Sequence, residues 1–408
     1  MATTKRSLSV VGLFAGIGGV ELGLERAGHK TKFLCELDVY AQAVLRKEFP
    51  DVPRIHPDVT TLRPEEISGV DLLAAGFPCQ DLSLAGTRAG LDGERSGLVW
   101  TVMDLVRKAR TKPEFLLFEN VSNLLRLGRG VHMRAILETL EGLGYQWAYR
   151  VVDSRGFNLP QRRERVIILA SHGSVPPEAI LFNKHIAAAT DDTIQVAEGH
   201  DYGFYWTEGK RGVGWARDAV PTIKGGSGLG IPSPPAVFVN RKDSGDGPTS
   251  FAGTPTIGDA ERLQGFPAGW TDVELEVDGK PMRIGARWKM VGNAVSVPLA
   301  EWVGQELADP PQGCADNVST IRWSEDRALP RAAFSSCDNE RHRVEISSHV
   351  EVATHQAISG FLQDPLKPLS HRALSGYLSR AKSGSKKLPA EFLCALETQK
   401  ESHPSAAA

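Results

Sequence analysis

Over its first 172 residues the chain alternates short apolar runs with stretches of helical spacing. The runs at 8–14, 31–36, 70–75, 114–118, 146–152 and 166–170 have strand length and few internal charges. Between them, apolar residues recur at helical intervals over 20–27, 39–49, 98–109 and 133–143. Strands buried on both faces read as near-continuous apolar runs, and their alternation with helices predicts a doubly wound, mostly parallel sheet with helices on both faces. From 173 to 284 the alternation fades into Gly, Pro, Ser and aromatic residues, which predicts a separate small unit of short strands and loops. Regular structure resumes at 259–264 and in a helix over 299–307. Beyond Asp309 a polar linker without clear periodicity is expected, then an ordered tail over 369–396 carrying Arg372, Arg380, Lys382, Lys386 and Lys387.

Composition narrows the class. The chain has 408 residues, 41% of them hydrophobic and 24% charged, with room for a large core plus an appended unit. Five scattered cysteines without paired spacing argue for a reducing compartment and against a disulfide framework or a metal cluster. The first residues lead into a short strand rather than a signal peptide's apolar segment, and no run is long enough to span a membrane, so a cytoplasmic location is expected. A net charge of −2 does not advertise a nucleic-acid binder, so any cations that meet a phosphate backbone must be clustered locally.

The candidate chemistry gathers at the ends of the strand runs, where open α/β sheets build their sites. Phe14-Ala15-Gly16-Ile17-Gly18-Gly19 is a glycine-rich turn between strand and helix, suited to a nucleotide-like ligand, although many turns need glycine for positive φ. Glu36 ends the second strand, where an acid grips a ribose diol, and Asp58-Val59 puts another carboxylate nearby. Taken singly, each acid also reads as a helix cap or a solvated loop residue. Gly76-Phe77-Pro78-Cys79-Gln80 stops a strand and presents one cysteine, either a small buried hydrophobe or a nucleophile. Glu119 directly follows five mainly apolar residues, a costly place for a charge without a use. Three arginines bracket Glu164 in Gln161-Arg162-Arg163-Glu164-Arg165, as a solvated turn or as anion grips. In the middle unit, Tyr202, Phe204, Tyr205, Trp206 and Trp215 interleave with Arg211, Arg217, Lys224, Arg241 and Lys242; this suits nucleic acid or an ordinary small β core.

These motifs, in this order, resemble the DNA cytosine-5 methyltransferases of bacterial restriction-modification systems over residues 8–172 and 255–307. Glu261-Arg262-Leu263-Gln264-Gly265-Phe266-Pro267 and Gly292-Asn293-Ala294-Val295 resemble two further family motifs, while Gly258 departs from an expected basic residue. The resemblance implies a Rossmann-like methyltransferase domain over 1–172 and 285–309, a target recognition domain over 173–284, and a linker with C-terminal extension over 310–408. It implies S-adenosylmethionine as methyl donor, held by Phe14, Gly16, Ile17, Gly18, Gly19, Glu36, Leu37, Asp58, Val59, Pro78, Leu98, Asn293 and Val295, and no metal. Cys79 is expected to add to carbon 6 of a flipped cytosine, so that carbon 5 can take the methyl group. Glu119, kept protonated by burial, meets N3; Arg163 holds the base carbonyl and Arg165 braces the site. The implied partners are double-stranded DNA and a cognate restriction endonuclease, with a monomeric protein and a loop over 85–97 closing on the base. The same motifs leave open a tRNA cytosine-5 methyltransferase and a catalytically inactive DNA-binding homologue.

Overall fold

In the computed structural model the described residues are 5–78, 97–187, 192–208, 212–225, 234–241, 250–277, 280–311, 319–323, 328–336, 338, 340–351 and 356–402. The chain forms two compact units: Met1–Asp153 with Glu164–Ala187 and Ala294–Glu351, and Ser154–Arg163 with Ala188–Asn293 and Val352–Ala408.

The first unit is built on a ten-stranded sheet. At its centre β1 (Ser9–Leu13) pairs in parallel with β2 (Lys30–Cys35) on one side and β4 (Leu72–Ala75) on the other; β3 (Ile55–His56) lies beyond β2 and β5 (Phe115–Val121) beyond β4. Strand Glu164–Ser171 then runs antiparallel between β5 and β6 (Gln146–Asp153). Strand order reverses at β1 and β4, so their C-terminal ends flank the crevice where such sheets take ligands. Helices α1 (Gly19–Arg26), α2 (Val39–Glu48), α3 (Leu98–Lys108), α4 (Val131–Gly142) and α5 (Pro177–Phe182) belong to this unit, with helix Val297–Ala308. Asp38 starts α2 by accepting from Tyr40 N at 2.9 Å and Ala41 N at 3.3 Å. Helix Val297–Ala308 packs so tightly on α1 that a Cβ at Gly23 would lie 2.5 Å from the Val297 carbonyl oxygen.

The stretch after Asp309 corrects the expected linker. Strand Ala332–Ser335 pairs antiparallel with β6, Arg341–Glu345 adds outside it, and Ser319–Arg322 forms the edge. Ser319–Arg322 and Arg341–Glu345 mix charged and apolar residues at the sheet margin and Ala332–Ser335 is only four residues long, which hides all three from periodicity. Arg341 Nη2 lies 2.6 Å from Glu141 Oε2. Buried Arg150 donates to the carbonyls of Leu181, Lys184, Ser347 and His349 at 2.7–3.1 Å, stapling this segment to α5.

The second unit has a five-stranded sheet in the order Ala216–Arg217, Tyr202–Phe204, Ala236–Val239, Phe251–Thr254, Lys367–Pro368. Short strands were expected over 173–284; the last strand comes from the tail. Helices His371–Lys382 and Ala390–Ser402 then bury Tyr377, Phe392 and Leu396 among Tyr202, Phe204, Trp215 and Phe238. Phe392 meets the rings of Phe204, Trp215 and Phe238, each at 5.1 Å. The Gln399 amide accepts from Ala252 N at 2.7 Å and donates to Ala252 O at 2.9 Å, completing the backbone pairing of that residue. The ordered tail is part of this unit's core.

Candidate active site

The turn after β1 is shaped by left-handed backbone. Phe14, Gly16 and Gly18 have φ of 55°, 56° and 82°. At Gly18 a Cβ would strike the Phe49 ring, whereas at Gly16 it would meet nothing within 4 Å. Gly16 thus leaves its backbone open to a ligand. Glu36 fixes the turn: Oε2 accepts from Gly16 N and Oε1 from Asp38 N, both at 2.7 Å. Beside it Leu37 is 71% exposed, an apolar side chain presented at the end of β2. Asp58 caps the short turn Val59–Thr61, accepting at Oδ1 from Thr60 N (2.9 Å) and Oγ1 (2.7 Å), and these bonds hold its carboxyl below the usual range. Ile17 and Val59 are buried, Gly19 opens α1, and Leu98 opens α3 packed against the core.

At the end of β4, Gly76 sits between two site residues: a Cβ there would lie 3.7 Å from both Glu119 Oε2 and Val295 Cγ2. Pro78 is exposed. Cys79 lies outside the described residues, as does the expected closing loop up to residue 96. The chain entering that loop is anchored by Asn120, whose Nδ2 donates to Phe77 O at 2.9 Å while its Oδ1 accepts from Val121 N at 2.8 Å. The tether joins residues 43 apart in sequence and is visible in three dimensions alone.

Glu119 was expected on the rim beyond a strand. It lies within β5, because pairing with strand Glu164–Ser171 continues through Glu119–Ile167, Asn120–Val166 and Val121–Arg165. Side chains two residues apart share a sheet face, so Arg165 is diagonal to Glu119 and long enough to reach it. Its Nε lies 2.8 Å from Glu119 Oε1. Glu119 borders a small cavity otherwise walled by apolar side chains, including Ala75, Leu117, Ile167 and Val295. The first unit therefore brings together Gly76, Phe77, Glu119, Asn120, Arg165 and Val295.

Arg163 and Asn293 belong to the second unit. Buried Arg163 donates from Nη1 to Ile223 O (3.3 Å) and Gly292 O (3.2 Å). Gln161 holds the same segment, donating to Leu263 O at 2.8 Å and accepting from Ile223 N at 3.0 Å. Glu261, fully buried, accepts from Gly269 N at 2.6 Å and Thr271 N at 2.9 Å and pairs with Arg287 at 3.2 Å. At Gly258 the expected cation is absent; Arg262, one helical turn on, pairs with Asp259 and Asp364, each at 2.8 Å. Of the aromatic residues read as a stacking surface, Tyr202, Phe204 and Trp215 are core, with Tyr202 and Trp215 stacked at 4.8 Å. Lys224 sits over the Tyr205 ring at 3.8 Å and pairs with Glu208. Arg211 and Lys242 lie outside the described residues.

Among the described residues no group of His, Cys, Asp or Glu is placed to hold a metal ion, and no helix is long and apolar enough to cross a membrane.

The family model of C-5 cytosine-specific DNA methylases matches residues 8–202. The type II methyltransferase M2.BsuMI of Bacillus subtilis (strain 168) is 48% identical over 92% of this chain and 93% of its own length. M.NaeI of Lentzea aerocolonigenes is 31% identical, covering 83% of this chain and 84% of its own. The fold is shared with the S. pombe Dnmt2 methyltransferase at a TM-score of 0.52 and 16% identity, over 74% of this chain and 99% of that one. The family model's match and a relative 48% identical over nearly the whole of both chains place this protein in the C-5 cytosine-specific DNA methylase family.

Proposed function

We propose that this DNA cytosine-5 methyltransferase acts on a flipped cytosine in double-stranded DNA through Cys79, as the monomeric, cytoplasmic modification enzyme that protects sites cut by a cognate restriction endonuclease. The observation that carries the site is the convergence at the end of β4. Asn120 ties down Phe77, two residues before Cys79, while Glu119 and Arg165 pair beside Gly76. In this reading Cys79 sulfur bonds carbon 6 of the base, and Glu119 meets the ring at N3, where the addition places charge. Carbon 5 becomes the nucleophile, and loss of its proton later expels the thiolate. Arg165 orients Glu119. Arg163 is assigned to the base carbonyl through guanidinium N–H groups other than those of the Nη1 that bonds Ile223 and Gly292.

The residues fit S-adenosylmethionine, which supplies an electrophilic methyl group on a sulfonium when bound. Gly16 leaves its backbone open, and Phe14, Ile17, Gly18 and Gly19 form the turn around it. Each Glu36 oxygen accepts one backbone N–H and keeps a further lone pair for a ribose hydroxyl. Leu37 offers an exposed apolar side chain to the adenine, whose amine Asp58 would meet beside Val59. Pro78, Leu98, Asn293 and Val295 complete the assignment. The 173–284 region is assigned to target recognition.

Bisulfite sequencing of DNA from cells expressing wild type or Cys79→Ser tests the reading. Protected cytosines in one short sequence context, lost in the variant, are expected. Wild-type marks that persist in the variant would remove Cys79 from the mechanism. Methylated tRNA with unmarked DNA would move the substrate.

A further inference from the structure

The stretch 365–390 contains six Lys or Arg residues and no Asp or Glu, whereas the remainder of the chain holds 41 bases against 49 acids. The fold accounts for two of the six. Arg380 donates to the carbonyls of Glu208 and Trp206, each at 2.9 Å, and Lys382 pairs with Glu397 at 2.8 Å. Lys367, Arg372, Lys386 and Lys387 are exposed and have no acidic partner among the described residues.

Helix stability does not explain the cation at Arg372. Arg372 lies in the first turn of helix His371–Lys382, where the helix dipole disfavours a cation, and that turn holds no acid. Lys386 and Lys387 lie in the connection past the other end, where the dipole of helix His371–Lys382 tolerates cations, and before helix Ala390–Ser402, whose first turn carries Glu391. The buried side of helix His371–Lys382 is fixed by Leu374, Tyr377, Leu378 and Ala381 in the core of the second unit. Ser379 and Ser383 are exposed between the cations. With 12 residues the helix is about 18 Å long. The two basic ends therefore span about five base-pair steps at 3.4 Å each.

We infer that this face of the C-terminal helix pair is a clamp for the phosphate backbone of duplex DNA, with Lys367 and Arg372 on one group of phosphates and Lys386 and Lys387 on another. It contributes affinity and positioning, not base readout, because it is built from cations and hydroxyls. This answers the charge problem posed by the sequence: a chain of net charge −2 carries its DNA-binding cations as a local cluster in and around one helix. The inference rests on the DNA methyltransferase reading.

The test compares wild type, the quadruple variant K367Q/R372Q/K386Q/K387Q, and a charge-keeping control, K367R/R372K/K386R/K387R. Duplex binding is measured across a salt series, and methylation at saturating DNA. Neutralisation is expected to weaken binding more than tenfold at low salt and to flatten the log–log salt slope by about two to four. The control should keep the slope, and kcat at saturation should be retained. Should the quadruple variant fold poorly, the loop variant K386Q/K387Q is expected to lose about one to two from the slope. An unchanged slope in a folded, active variant overturns the clamp, as it would if the face served an acidic protein. A wild type that leaves all DNA unmethylated would instead remove the reading beneath it.

Discussion

Glu21 shows how far one side chain can depart from what its position in the sequence suggests. It occupies the first turn of α1, a favourable place for a carboxylate, yet it is fully buried against Gly12 and Leu34, and its Oε2 has no hydrogen-bond partner among the described residues. Burial pushes its carboxyl up to about 8. Because this lies above the unfolded value near 4.5, the neutral carboxyl's stabilisation is complete below 4.5 and is lost as the pH rises toward 8. By pH 7 the loss is on the order of 3 kcal/mol. Denaturant titrations from about pH 5 to 8 should show this decline in wild type and a flatter profile in Glu21→Gln; superimposable profiles would remove Glu21 as the source. Asn120 gives a residue-scale test of the proposed site. Asn120→Ala leaves the buried Phe77 carbonyl and the part-buried Val121 N–H without this partner, costing about 1–3 kcal/mol. It is expected to lower kcat at least tenfold while leaving the KM for S-adenosylmethionine within about twofold. A changed KM with an intact kcat would mark it as a cofactor-side residue instead.

At the scale of elements, strand and helix periodicity is decisive wherever a segment has a buried face of its own. The core strands and α1 to α4 were legible for that reason, with most boundaries differing by a residue or two and β5 running three residues further than expected. Spacing was silent about how closely the elements approach one another. Gly23 illustrates this: intrinsic propensity predicts that Ala would stabilise α1 by about 1 kcal/mol. Yet its Cβ would meet the Val297 carbonyl oxygen at 2.5 Å and Glu301 N at 2.6 Å, both backbone atoms that cannot swing aside. Overpacking of about 1–3 kcal/mol is the larger effect, so Gly23→Ala should lower the melting temperature by several degrees. A raised melting temperature would show that the helix pair slides apart without cost.

For the whole molecule, the surprise is the last hundred residues. They read as a linker with a tail because their strands are short and because their partners lie far away in sequence. Ala332–Ser335 completes a sheet begun by β1, and Phe392 fills a core begun by Tyr202. Truncation after Asp364 is therefore expected to expose Phe204, Trp215 and Phe238 and to leave a chain that aggregates or unfolds without cooperativity. A true linker and cap would allow the truncated protein to melt as a cooperative species with its methylase activity intact. Scanning calorimetry with a methylation assay separates the two outcomes.

The sequence by itself determined the methylase sheet, the glycine turn at Gly16, and the order of the motif residues from Phe14 to Val295, since local periodicity and backbone permissiveness are properties of neighbouring residues. Only the tertiary structure decided that Glu119 stands inside a strand within reach of Arg165, that Asn120 steadies the loop leading to Cys79, and that Tyr202 and Trp215 are core. These are outcomes of register and long-range burial, in which a side chain's neighbours come from remote parts of the chain.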